Sequence, residues 1–233
     1  MAQLQRMPPV MIDPARIAPF AQKWIEGSDS FTRAESMQFG SVFNIPVAEA
    51  LAAMLGAIPV VQQTTRALTP PQRDCVEVGD ILVIGSIRPQ NYDVVYRPDG
   101  VRFAFDSKTL NKTSSLSKNF QNMLNDLSTQ AANVHSRFPH AVVGFIVALP
   151  RPCLETARRA TMIETLRRLA QRVNVDDPAH EAEALSLVVW NPSDGAIDPD
   201  IPHNSSELRI EKFSEYVQQA YFTRYSVLPP HDR

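Results

Sequence analysis

The chain has 233 residues, 44% hydrophobic and 21% charged, with a formal net charge of −2. That is ordinary globular composition, long enough to bury a sizeable core in one domain and unlike a disordered chain, and it carries no global charge signature of a nucleic-acid binder, so any such contact must come from local basic patches. Cys75 and Cys153 are too few for a disulfide framework or a cysteine metal site and suit a reducing cytoplasm, and the longest charge-free apolar run, 141–150, is about half of the roughly 20 residues a membrane span needs.

Residues 1–30 hold four prolines, some where the apolar core of a signal peptide would lie, and read as an arm with a short helix around Ala15 to Trp24, packed on the body or on a partner. Thr32-Arg33-Ala34-Glu35 is a capping box that opens a helix expected to break at Pro46 and resume from Val47 to Leu55. The prolines at 59, 70 and 71 mark a loop, and Asp80 to Gly85, DILVIG, is a buried strand.

The next stretch, NYDVVYRPDGVRFAFDSKTL from Asn91 to Leu110, reads as a β-hairpin with strands near Tyr92 to Arg97 and Val101 to Lys108. If Asp99-Gly100 is a two-residue loop, Pro98 faces Val101, and counting outward brings Asp93 opposite Asp106. Paired Cβ atoms lie about 5 Å apart on one side of the sheet. Lys108, two residues after Asp106, shares that side, and Ser107 points the other way. Pro-Asp-Gly also fits a type I turn with a glycine bulge, which would slip the register by one and put Asp93 on the opposite face unless the strand bends. Asp99 lies about 23 Å along the strand from Asp106 and is a turn residue.

Two carboxylates and an ammonium on one face suit Mg²⁺, which takes one or two carboxylates with waters and phosphate oxygens, and they suit metal-assisted hydrolysis of a phosphodiester. Asp93, then twelve residues, then Asp106-Ser107-Lys108 resembles the active site of the PD-(D/E)xK nuclease superfamily, the restriction-endonuclease-like fold. The resemblance covers roughly residues 80–150; the residue before Asp93 is Tyr92 where the family pattern has proline. It implies that Asp93 and Asp106 hold the divalent metal, Mg²⁺ or Mn²⁺ in its place, with the Ser107 carbonyl a further ligand, and that Lys108 serves the attacking water. Relatives often add an acidic ligand from an upstream helix; Glu35 and Glu49 are the candidates, Glu35 with a ready role as a cap and Glu49 a solvated helix residue.

Apolar positions recurring at three and four predict an amphipathic helix from Leu116 to His135. Lys112 and Lys118 lie beyond the catalytic end of the hairpin, where such groups either contact DNA phosphates or form a solvated helix start. Ala141 to Leu149 is a central strand, Leu154 to Val173 a helix with Arg158, Arg168 and Arg172 on one side, Ala184 to Trp190 a strand, and Glu207 to Tyr225 a final helix with Tyr216, Tyr221, Phe222 and Tyr225 on one side as core or dimer surface. The arginine-rich side is either a face for a duplex or a solvated surface paired at i,i+4, as Glu164 with Arg168. The histidines show no metal spacing.

The element order gives an α/β sandwich around a mixed sheet flanked by helices, resembling the family's αβββαβ core: one domain, with an arm over 1–30, a core over about 32–190 and a C-terminal helix. The function expected is that of a Mg²⁺-dependent endodeoxyribonuclease of the type II restriction kind, acting on DNA, outside membranes; a two-fold homodimer would suit a symmetric cut. The alternatives are an inactive DNA-binding or assembly subunit on the same fold, or a structure-specific or RNA-directed nuclease with the same site.

Overall fold

The computed structural model describes residues 4–26, 31–64, 66–112, 116–154 and 159–231. Six strands form one mixed sheet in sequence order: β1 (Val60–Gln63), β2 (Val76–Ile84), β3 (Pro89–Tyr96), β4 (Phe103–Thr109), β5 (Val142–Pro150) and β6 (Ala184–Trp190). β2–β3 and β3–β4 pair antiparallel, whereas β1–β2, β4–β5 and β5–β6 are parallel. Burial of every residue of β5 and β6 explains their unbroken apolar sequences, since a central parallel strand has no solvent side.

One face is covered by α1 (Pro14–Ile25), α2 (Arg33–Met54) and α5 (Ile210–Tyr225), the other by α3 (Leu116–His135) and α4 (Arg159–Leu169). The arm packs on the body: Met7, Val10 and Ile12 are buried, and the Met7 and Val10 amides donate to Gln218 Oε1 and Ser214 Oγ of α5. Both halves of the capping box at Thr32 form. The break expected at Pro46 does not occur, and α2 runs through it. An interior proline costs about 3 kcal/mol, but Phe39, Phe43, Val47 and Leu51 are fully buried against the sheet, and each contributes roughly 1.5–3 kcal/mol.

Two other expectations change. β1 was read as loop; its alternating, mostly exposed residues give no strand signal, and it exists through its parallel pairing with β2. The helix expected over 154–173 is described only from Arg159 to Leu169, and Arg172 turns inward onto Glu183 at 3.0 Å, so it cannot belong to a DNA-facing side. Arg167 and Arg168 bond Glu164 in the i,i+3 and i,i+4 pairs of a solvated helix, and Arg158 lies outside the described residues. Tyr221 and Tyr225 of α5 are core, with Tyr221 fully buried. Among the described residues, no helix is long and apolar enough to cross a membrane.

The feature that positions the site is a bend in the β2–β3 pair. β2 carries an extra residue between Val78 and Ile81, with Gly79 at φ 130°, and the register shifts there. Beyond this bulge, Tyr92 faces the same core as Val95, which a straight strand with period two does not allow. Arg97 Nη1 donates to the Leu82 carbonyl at 3.1 Å, although Leu82 pairs with Asn91, about 20 Å along a straight strand from Arg97. The arm from Ile81 to Tyr92 therefore curls over the face that α3 covers. Its tip is pinned by buried Asn133, whose Oδ1 accepts from the Ile87 and Arg88 amides at 2.8 and 3.1 Å.

Candidate active site

The register of the central hairpin is the one the two-residue loop implied: Tyr96 pairs with Phe103, Val95 with Ala104 and Val94 with Phe105, so the next step brings Asp93 to Asp106. That step is where the strands part. The ladder ends at Val94–Phe105, while β4 stays paired with β5 out to Thr109. Past the parting, Asp106 to Thr109 form an open strand edge with α2 on one side of the sheet and α3 on the other.

Asp93 sits in this gap. Its Oδ2 accepts from both the amide and the hydroxyl of Ser107, each at 2.8 Å. A side chain thus takes the amide that a continuing ladder would have used. Asp106, on the α3 side, is 7% exposed; its Oδ2 accepts from Lys108 Nζ at 2.6 Å and from Gln130 Nε2 at 2.8 Å. Ser107 faces α2, where Gly40 leaves it room: a Cβ there would stand 3.2 Å from Ser107 Oγ.

Two carboxyl groups in a confined gap cannot both ionise freely. Burial first, and then the charge of Asp106 and a hydrogen bond with it, push the Asp93 carboxyl up to about 8 despite the two bonds from Ser107. The Asp93 carboxyl is therefore held towards its protonated form at neutral pH. For Lys108, burial works against the ammonium, but the charge and hydrogen bond of Asp106, with Asp126 and Asp93 behind it, outweigh this and raise its pKa, so it stays protonated.

The site thus brings Asp93, Asp106, Ser107 and Lys108 together. Among the described residues no group of three or more His, Cys, Asp or Glu is gathered for a metal, so a cation here would have two carboxylates and otherwise neutral oxygens or water. Neutral oxygens are present. Gln130 Oε1, Asn91 Oδ1 and Asn44 Oδ1 are buried without a hydrogen-bond partner; Gln130 touches Asp106, Asn91 precedes Asp93 by two residues, and the Asn44 amide lies beside Gly40, next to Ser107. Buried orphan acceptors are rare, and the one on Gln130, the residue bonded to Asp106, fits a hydrated divalent cation beside that carboxylate.

Neither upstream acid joins the site. Glu35 is held by Lys23 and by the Thr32 amide and hydroxyl at 2.8 and 2.7 Å, which lower its pKa to about 2, and Glu49 is exposed. Asp99 pairs with Arg102 at the turn, at the other end of the hairpin, beside a cleft of about 430 Å³ lined by Arg97, Arg137 and Phe138. Lys112 and Lys118 are exposed, Lys112 just past β4 and Lys118 in the first turn of α3, with 113–115 outside the described residues. Sequence reading missed Gln130 because one glutamine on an amphipathic helix carries no motif; its position in the buried stripe with Leu127, Ala131 and Val134 was the available signal. No family model, no curated protein and no solved structure matches the chain.

Proposed function

We propose that the chain is a Mg²⁺-dependent endodeoxyribonuclease of the PD-(D/E)xK, restriction-endonuclease-like type. The observation that carries this reading is the gap between β3 and β4, where Ser107 holds Asp93 through two hydrogen bonds and Lys108 and Gln130 both bond the neighbouring Asp106. A second support is the order α2, β1, β2–β3–β4, α3, β5, which contains the succession of the αβββαβ core with one extra strand, β1, ahead of β2.

Asp93 and Asp106 would hold the ion. A bound Mg²⁺ would polarise the phosphate and lower the pKa of a water. The chain's own groups do the rest. Ser107 fixes Asp93 through two donors, so that carboxylate is oriented before any ligand arrives. Lys108, protonated and held by one bond to Asp106, has N–H donors left for a phosphate oxygen, where they offset charge that builds during in-line attack. Asp93 must release its proton at Oδ for the site to take up a cation. Lys112 and Lys118 would contact phosphates and set register on the strand without reading bases.

Incubation of the protein with mixed plasmid DNA in Mg²⁺ tests the reading. Cleavage that EDTA and Asp106→Ala both abolish is expected; DNA left intact by wild type in Mg²⁺ and in Mn²⁺ contradicts it, and cleavage of RNA alone transfers the chemistry to another substrate.

A further inference from the structure

Gln130 reaches the site from α3, and its two amide atoms stand in opposite conditions. Nε2 donates to Asp106 Oδ2 at 2.8 Å. Oε1, on the same planar group, is buried with no partner, in a residue 3% exposed. The orientation follows from charge: the N–H must face the carboxylate, so the acceptor is the end left over. Its backbone is fixed as well, since the Gln130 carbonyl accepts from the Tyr92 hydroxyl at 2.9 Å. Tyr92 is the residue before Asp93, and one helical position thereby touches both sides of the gap. A leucine or methionine would fill this space without leaving a desolvated acceptor, so packing alone does not account for glutamine.

We infer that Gln130 is a positioning residue of the metal site, its N–H setting the angle of the Asp106 carboxylate and its Oε1 accepting a hydrogen bond from a water that the cation carries. This rests on the nuclease reading and adds to it a neutral arm on the helix that follows the hairpin. Partners of a ligand carboxylate change metal affinity or activity by about 10- to 100-fold when removed.

The test is calorimetric titration of Mg²⁺ into the full-length wild type, Gln130→Met and Gln130→Glu, with cleavage rates measured beside it. Methionine keeps the shape and removes both polar atoms; Mg²⁺ affinity and cleavage should each fall tenfold or more. Glutamate returns an acceptor oxygen but not the N–H that holds Asp106, so Mg²⁺ affinity should rise above that of Gln130→Met while cleavage stays below wild type. A residue that only packs would give neither the loss nor the recovery. Wild-type affinity in Gln130→Met, or equal weakening in both variants, overturns the inference while leaving the nuclease reading in place. If the methionine variant does not fold, Gln130→Leu takes its place with the same expected loss and the same refuting result. A wild type that neither binds Mg²⁺ nor cuts removes both.

Discussion

Replacing Asp93 by asparagine should make the protein more stable at high pH. The Asp93 carboxyl, ordinarily at 3.8, stands at about 8 in the fold because burial and Asp106 oppose its charge. A group whose folded-state pKa is raised binds its proton more tightly when folded, so its contribution is complete below about pH 4 and is lost as pH rises towards about 8. At 1.36 kcal/mol per pH unit the loss is at most about 6 kcal/mol. Water entering the open edge and the higher effective dielectric there reduce it to something on the order of 2 kcal/mol. Asparagine keeps the shape and carries no charge, so the variant lacks this slope. Urea midpoints from pH 5 to 9, without divalent metal, should therefore diverge, with Asp93→Asn gaining on wild type as pH rises. Adding Mg²⁺ at pH 8 should stabilise wild type and leave the variant unchanged. Parallel profiles across the range would refute the coupling of the two carboxyl groups.

Lys108→Ala should cut DNA at least about 100-fold more slowly, with folding and DNA affinity retained, as read by single-turnover cleavage and a gel-shift titration. Glu35→Ala should lower the melting temperature slightly through the lost cap and leave cleavage and its Mg²⁺ dependence at wild-type values, because its bonds go to Lys23 and Thr32. Gly40→Val places a branched side chain where even a single added Cβ would stand 3.2 Å from Ser107 Oγ; overpacking should cost about 1–3 kcal/mol, and cleavage should fall further than stability as Ser107 is displaced from Asp93. Glu183→Leu removes the buried acceptor that Arg172, Arg224 and the Val143 amide share; chemical denaturation should show a loss of about 3–5 kcal/mol.

The hairpin was legible in the sequence because turn chemistry fixes register. Asp99-Gly100 set the count, and the pairing of Val94 with Phe105 follows it even though the observed strands stop at Tyr96 and Phe103, where Arg97 turns in to Glu77 at 2.6 Å and Arg102 to Asp99. α3 and β6 were readable to their ends because one has a clear apolar stripe and the other is apolar throughout. The curl of the β2–β3 arm was not, since a bulge is a long-range event: Gly79 permits it, but only the bond from Arg97 to Leu82 and the grip of Asn133 on the tip require it. For the same reason the sequence could place Asp93 opposite Asp106 but not show that the strands separate there and leave an open edge. Arg172 counted as a surface charge on an extrapolated helix, yet beyond Leu169 the chain leaves that helix and its guanidinium meets Glu183 in the interior.

Location of a divalent ion tests the central claim most directly. Crystals grown with Mn²⁺ and measured at the manganese absorption edge should show one anomalous peak between the carboxylates of Asp93 and Asp106, lost in Asp106→Ala. No peak in that gap at saturating Mn²⁺, or a peak that persists in the alanine variant, would contradict the account.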